Sequence, residues 1–164
     1  MTENDLIDSL ILEWKQEQPQ LDSSAMEIVG RILKLSKILE KRASKALSNY
    51  GIHYTDLDVL ATIRRSGKPY ELTPSKLMKS VLITSGAMTA LLKRLEKLEL
   101  IYRSSDLQDG RIKLVGLTKK GSEVIDKAIE TRFIEASESI KSLNDSENIA
   151  LSILLKKLLL SLDF

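Results

Sequence analysis

Apolar positions recur at helical spacing along most of the chain and switch once to a strand-like pattern. Leu6, Ile7, Leu10, Ile11 and Trp14 share one face of a short amphipathic helix, which Pro19 terminates. Asp22-Ser23-Ser24 offers N-caps for a long second helix with Ile28, Val29, Ile32, Leu33, Leu39 and Leu47 on its stripe, stopped at Asn49-Tyr50-Gly51. Thr55 is the expected cap of the next helix, whose apolar positions are Leu57, Val59, Leu60 and Ile63 and which Ser66-Gly67-Lys68-Pro69 closes. Thr73-Pro74-Ser75 places proline at a first helical position after a Thr cap and opens a short helix over 75–81. Thr84-Ser85-Gly86 opens another, with Met88, Leu91, Leu92, Leu95 and Leu98 as a single predicted buried stripe. Two short helices across a tight break, the second amphipathic and basic on its outer face, make a helix-turn-helix candidate.

The period then changes. Leu100–Arg103 and Ile112–Val115 are short aliphatic and β-branched runs, and between them lies Ser104 to Arg111, containing Asp109-Gly110, a dipeptide favoured in tight hairpin turns. The hairpin reads as a wing. Thr118 caps a long helix with Val124, Ile125, Ala128, Ile129, Phe133 and Ile140 along one side, and Asn144-Asp145 starts a last one. That last helix, Ile149 to Leu160, is apolar around most of its circumference, more than a terminal helix can bury in its own subunit. With the first amphipathic helix it reads as a homodimer interface, or else as the central helix of a monomeric bundle. The expected fold is mostly α with a small β-wing: a winged helix-turn-helix with long N- and C-terminal dimerisation helices. The expected division is an extension over 1–20, dimerisation helices over 21–50 and 121–164, and a winged lobe over 51–120.

Charge adds a direction to this picture. Residues 75–120 carry ten Lys/Arg against four acids, whereas residues 1–30 carry one Lys against seven. A basic middle and an acidic start suggest a footprint for a polyanion, the other reading being a solvated basic face. Cysteine is absent and His53 is the single histidine, which excludes disulfides and thiolate metal sites and leaves no metal or cofactor to expect. No positive n-region precedes the first apolar run and no stretch of about 20 apolar residues occurs, so a cytoplasmic protein without a membrane span is expected.

On the second helix of the pair, the face opposite the leucines carries Gly86, Ala90, Lys93 and Lys97, with Thr89 and Arg94 on its flanks. Small residues at its start, with Thr84 and Ser85, let backbone and hydroxyls approach the base edges of double-stranded DNA. Lys93 and Arg94 reach phosphates or a guanine, and Lys97 a phosphate, unless the lysines are plain solvated charges. Arg111 on the hairpin suits a narrow minor groove, whose negative potential attracts guanidinium. Asp109 either braces that guanidinium or is Asp because a turn favours it.

Several stretches fix a resemblance: Leu95-Glu96-Lys97-Leu98-Glu99-Leu100-Ile101-Tyr102-Arg103, then Asp106 and Asp109-Gly110-Arg111, then Leu117-Thr118-Lys119-Lys120-Gly121. In this order and spacing they resemble the MarR family of bacterial transcription regulators over about residues 25–160. The resemblance implies a two-fold dimer on a pseudo-palindromic operator and a ligand-responsive repressor. Glu99 stands where the family usually has the glycine that ends the recognition helix, and Gly110 where it usually has a wing arginine. Trp14, Pro19-x-Leu21-Asp22, Met26 and Gly30-Arg31 resemble the extension of a branch that includes urate-responsive repressors. That branch implies a ligand set to which Trp14 and Asp58 correspond, but Leu91 occupies the position of its arginine, so the set is incomplete. The bland readings are core packing for Trp14 and helix-dipole stabilisation for Asp58. Tyr50, His53 and Tyr54 cluster at the junction where the family often takes small aromatic acids; a small aromatic or anionic effector is the expectation, and an exposed loop residue the other reading of His53. An enzyme is not expected, for want of a nucleophile–base pair or phosphate loop. A winged helix used only for protein–protein contact is the remaining alternative.

Overall fold

The computed structural model of the chain describes residues 4–81, 84–106 and 108–162. The outermost residues of the predicted 1–20 and 121–164 segments, and Leu107 of the wing turn, lie outside this set. Two compact units divide the chain, Met1–Arg42 and Ala43–Phe164.

In the first unit, α1 (Leu6–Glu17) opens on a reciprocal cap: Asp5 Oδ1 accepts from the Ile7 and Asp8 amides, and the Asp8 carboxylate accepts from the Asp5 amide at 2.9 Å. Helix α2 (Ser24–Leu47) follows, with the Ser24 amide donating to Asp22 at 2.9 Å. Arg31 reaches from α2 to both acids of the α1 cap, at 2.8 Å to Asp5 and 2.6 Å to Asp8, so one guanidinium fixes where α1 begins. Those contacts hold the Asp5 carboxyl below its usual range. Ile11 is buried, but Leu6, Trp14, Ile28 and Leu33 are each more than half exposed.

The second unit takes in the end of α2, a 3-10 turn (Ser48–Tyr50) and Gly51 at φ +66°, the expected left-handed stop. Helix α3 (Tyr54–Arg65) starts one residue before the predicted cap: His53, not Thr55, occupies the N-cap, because Asp56 three residues later accepts the His53 amide at 2.7 Å. Helix α4 (Pro74–Ser80) and helix α5 (Ser85–Lys97) are capped by Thr73 and Thr84. The sheet has three strands where two are expected, β1 (Glu71–Leu72), β2 (Ile101–Ser105) and β3 (Lys113–Leu117), all antiparallel in the order β1-β3-β2. Glu71 pairs with Gly116 and Ile101 with Leu117. Helix α6 (Lys119–Ser139) begins on the Thr118 cap, and α7 (Asp145–Leu162) on Asn144, whose side chain accepts the Glu147 amide at 3.0 Å.

The core gathers Leu57, Val59, Leu60 and Ile63 of α3 with Leu77, Met88, Leu92, Leu95, Val115 and Ile125. The predicted α5 stripe is graded rather than uniformly buried: Leu91 and Leu98 lie at its margin. The first turns of α6, expected among the dimerisation helices, pack into this core through Ile125 and Ala128, while Phe133 and Ile134 stand two-thirds exposed. Helix α7 has no buried residue.

Candidate nucleic-acid interface

Helix α5 turns its leucines inward, which leaves Thr84, Ser85, Gly86, Thr89, Ala90, Lys93 and Lys97 exposed. A side chain at Gly86 would meet nothing of this chain within 4 Å, so packing does not require glycine there. The Thr89 hydroxyl donates to the Ser85 carbonyl at 3.0 Å, leaving its methyl and an acceptor lone pair facing out.

Arg94 departs from its expected course. Its guanidinium turns toward α3, forming an ion pair with Asp56, itself 1% exposed, and donating to the Gly51 carbonyl at 3.4 Å. A buried carboxylate loses its hydration and needs a cation, which draws the side chain inward. Nothing in the hydrophobic pattern marks Asp56; the available signal is its place three residues after His53, the spacing of a capping box.

The exit of α5 is a Schellman turn: the Leu100 amide donates to Leu95 O at 3.0 Å, and Glu99 sits at φ +60°. Three bonds hold this non-glycine residue in place. Thr118 Oγ1 donates to Glu99 O at 2.7 Å, and Lys120 Nζ reaches Leu98 O at 2.9 Å and the Glu99 carboxylate at 3.2 Å. A Cβ on Gly121 would come within 1.8 Å of Leu100 O, so glycine is required there. The Leu-Thr-x-x-Gly motif therefore locks α6 onto the end of α5.

The wing connection falls close to the expected Ser104–Arg111 span, and Asp109-Gly110 lies in a turn within it. Strands β2 and β3 end at Ser105 and Lys113, and Gly110 does not adopt positive φ. Asp106 folds the loop instead, accepting the Gln108 and Asp109 amides at 2.8 and 3.0 Å, which holds its carboxyl below the usual range. The Ile112 amide then donates to Asp109 O, making a turn with Gly110 and Arg111 at its centre. Asp109 Oδ1 accepts the backbone amide of Arg111 at 3.0 Å, not its guanidinium, so the turn explains this Asp.

Among the described residues Lys93, Lys97 and Arg111 have no ion-pair partner, whereas Arg103 pairs with Glu96 at 3.2 Å, Lys120 with Glu99 and Arg94 with Asp56. Lys93, Lys97 and Arg111 are all exposed, the two lysines on the outer face of α5 and the arginine in the wing turn.

The effector candidates divide between the units. Trp14, with Ile7, Leu10, Ile11, Leu21 and Met26, lines an apolar cavity of about 330 Å³ in the first unit. In the second, Tyr50 hydrogen-bonds Thr131 at 2.6 Å, His53 caps α3, and the Tyr54 ring lies 6.0 Å from the Arg132 guanidinium. Burial pushes the Asp58 carboxyl up against the opposing pull of Arg65 and Arg132. Among the described residues no group of acids and histidine could hold a metal, and no helix is long and apolar enough to cross a membrane.

Comparison with known proteins places this geometry. A MarR family model matches residues 50–112. The chain is similar to the HTH-type transcriptional regulator PecS of Dickeya dadantii, 27% identical over 91% of this chain and 90% of the relative. It is also similar to the HTH-type transcriptional regulator SarZ of Staphylococcus aureus, 33% identical over 73% of this chain and 76% of SarZ. Among solved structures, a mutant MarR from E. coli complexed with operator DNA superposes with a TM-score of 0.71 at 25% identity, covering 95% of this chain and 99% of that one. These are transcription regulators, not enzymes. The chain belongs to the MarR family of DNA-binding, winged helix-turn-helix transcription regulators.

Proposed function

We propose that α5 and the wing tip form the duplex-DNA surface of a homodimeric, ligand-responsive repressor acting in the cytoplasm. The observation that carries this is the exposed face of α5, on which Lys93 and Lys97 follow a helix start of small residues, together with the exposed Arg111 at the centre of the wing turn. In this reading Thr84, Ser85, Gly86, Thr89 and Ala90 approach base edges in the major groove, and Lys93 and Lys97 neutralise phosphate. Arg111 enters the minor groove, and Asp109 shapes the turn that presents it. The apolar faces of α1, α2, α6 and α7 supply the dimerisation surface, so that 1–20 is an extension, 21–50 and 121–164 dimerisation helices, and 51–120 the lobe that reads DNA. A small aromatic or anionic effector would act at the α2–α3 junction, among Tyr50, His53, Tyr54 and Asp58, where Arg132 lies over the Tyr54 ring and, with Arg65, acts on the Asp58 carboxyl, with Trp14 as a further candidate.

Binding of genomic fragments, followed by affinity measurement on a selected operator, tests this. Arg111→Ala should weaken operator binding by about 1–3 kcal/mol, as expected for a groove arginine. Arg132→Ala, on the long α6 and paired with Glu135 at 2.9 Å, should change it far less. Equal affinities for the two variants would remove the wing from the interface. A chain that selects no DNA at all would favour a winged helix used for protein–protein contact.

A further inference from the structure

We infer that Asp56, a side chain that faces no DNA, is a positioning residue: through Arg94 it sets the orientation of α5 and with it operator specificity. The inference rests on α5 being the DNA-reading helix. Asp56 is 1% exposed, and one oxygen, Oδ2, receives both the Arg94 guanidinium and the His53 amide, the latter at 2.7 Å. Arg94 also donates to the Gly51 carbonyl at 3.4 Å. A single guanidinium thus joins the last turn of α5 to the first turn of α3 and to the left-handed residue before it.

The rest of α5 is seated by Met88, Leu92 and Leu95, all buried. Apolar burial sets which face of α5 turns inward but is non-directional, so it constrains smaller rotations about the helix axis weakly. A charge-assisted bond between planar groups is directional and supplies that constraint. Rotation matters here because Thr89, Ala90, Lys93 and Lys97 occupy one face, and successive residues are about 100° apart around a helix. Arg94 directly follows Lys93 in sequence; it spends its charge inside the protein while Lys93 keeps its own outside. Two other roles for the pair predict different behaviour. If Asp56 were only the cap of α3, losing Arg94 would not alter sequence preference. If Arg94 left Asp56 to bind phosphate, losing it would weaken all duplexes alike.

The test uses the full chain on a selected operator and on a scrambled duplex across a salt series, with Asp56→Asn, Arg94→Met and the double variant, each checked for cooperative melting. By charge alone, Asp56→Asn removes a negative group from a DNA-binding protein and should tighten both complexes. A positioning role predicts the opposite on operator: about tenfold or more weaker binding, with scrambled DNA bound as well as before or better. Arg94→Met should lower the operator-to-scrambled ratio to the same extent without changing the salt slope. The double variant should be no worse than the poorer single one, since both break one link. An unchanged ratio in Asp56→Asn overturns the proposal, as does an Arg94→Met slope flattened by about one unit on both duplexes, the mark of a lost phosphate contact. Should Asp56→Asn not melt cooperatively, the ratio and slope of Arg94→Met decide on the same terms. Arg111→Ala and Lys93→Ala, run in parallel, keep the two readings apart. If they weaken binding while the Asp56→Asn ratio holds, the positioning role alone falls; if neither affects either duplex, α5 is not the reading helix and both fall.

Discussion

Thr89 and Lys93 lie one turn apart on the same exposed face, yet their chemistry toward DNA differs. The lysine is a point charge without an ion-pair partner among the described residues, whereas the Thr89 hydroxyl donates its hydrogen bond to Ser85 O. Lys93→Ala or Lys97→Ala should therefore weaken operator and scrambled DNA alike and flatten the dependence of log affinity on log salt by about one unit. Thr89→Ala should relax preference at one position per half-site and leave the salt slope unchanged, and equal losses on both duplexes would move base reading to another face of α5. Asp58 gives a prediction on stability instead. Burial raises its pKa in the folded state above the ordinary carboxylate value, so the fold favours the protonated form. The stabilising contribution of that proton is complete below the unfolded pKa and is lost as pH rises through the folded one. Asp58→Asn should accordingly melt higher than wild type at pH 7, with the gain shrinking toward zero near pH 3; thermal melts across that range decide it. The exposed positions of α5 follow from helical periodicity and were legible in the sequence. The Asp56–Arg94 pair was not, because a pair 38 residues apart leaves no trace in a local pattern.

At the scale of elements, the order of helices and the hairpin were readable because caps and apolar spacing agree over long segments. The sequence is least legible where elements are shortest. Strand β1 has only two residues and is made a strand by its partner β3, so no period announces it. The wing loop, with its turn at Asp109–Ile112, is shaped by Asp106, which lies outside the Asp-Gly dipeptide that suggested a tight hairpin. The end of α5 shows the opposite case, in which the sequence departs from family habit and the fold absorbs it. Glu99 at φ +60° carries strain that glycine would not, about 1–3 kcal/mol for a non-glycine residue in that region, offset in part by glycine's greater chain entropy. Glu99→Gly should stabilise by about 0.5–1 kcal/mol in denaturant titration, even though Lys120 loses a carboxylate partner. Gly121→Ala should act in the other direction and more strongly, by about 2 kcal/mol or more, because its methyl group meets the rigid Leu100 carbonyl rather than a mobile side chain. A Gly121→Ala protein as stable as wild type would mean that α6 can shift away from Leu100.

For the whole molecule, what remains unaccounted for in a single chain is apolar surface. Ile149, Ile153, Leu154, Leu159, Leu160 and Leu162 of α7 are each more than 60% exposed, and α7 has no buried residue at all. Soluble monomers rarely leave such a patch to water, since contiguous apolar surface drives association at roughly 25 cal/mol per Å². Cover by a second copy through a two-fold axis satisfies both this surface and the symmetry of a palindromic site. Light scattering at micromolar concentration should give twice the chain mass of 18.4 kDa. Leu154→Glu with Leu158→Glu, placing charge in the middle of the covered face, should shift that mass toward the monomer. The same axis fixes the DNA prediction. Two α5 helices related by a dyad reach successive major grooves, so the selected operator should be an imperfect palindrome with half-site centres about 10 bp apart. Inserting about 5 bp between half-sites rotates one by about half a helical turn and should reduce binding to that of an isolated half-site, whereas about 10 bp restores the facing but exceeds the reach of a rigid dimer. A strictly monomeric protein that still bound one half-site at full affinity would separate the winged lobe from the symmetry argument, leaving Lys93, Lys97 and Arg111 as a one-lobe DNA surface and the exposed face of α7 in need of a different partner.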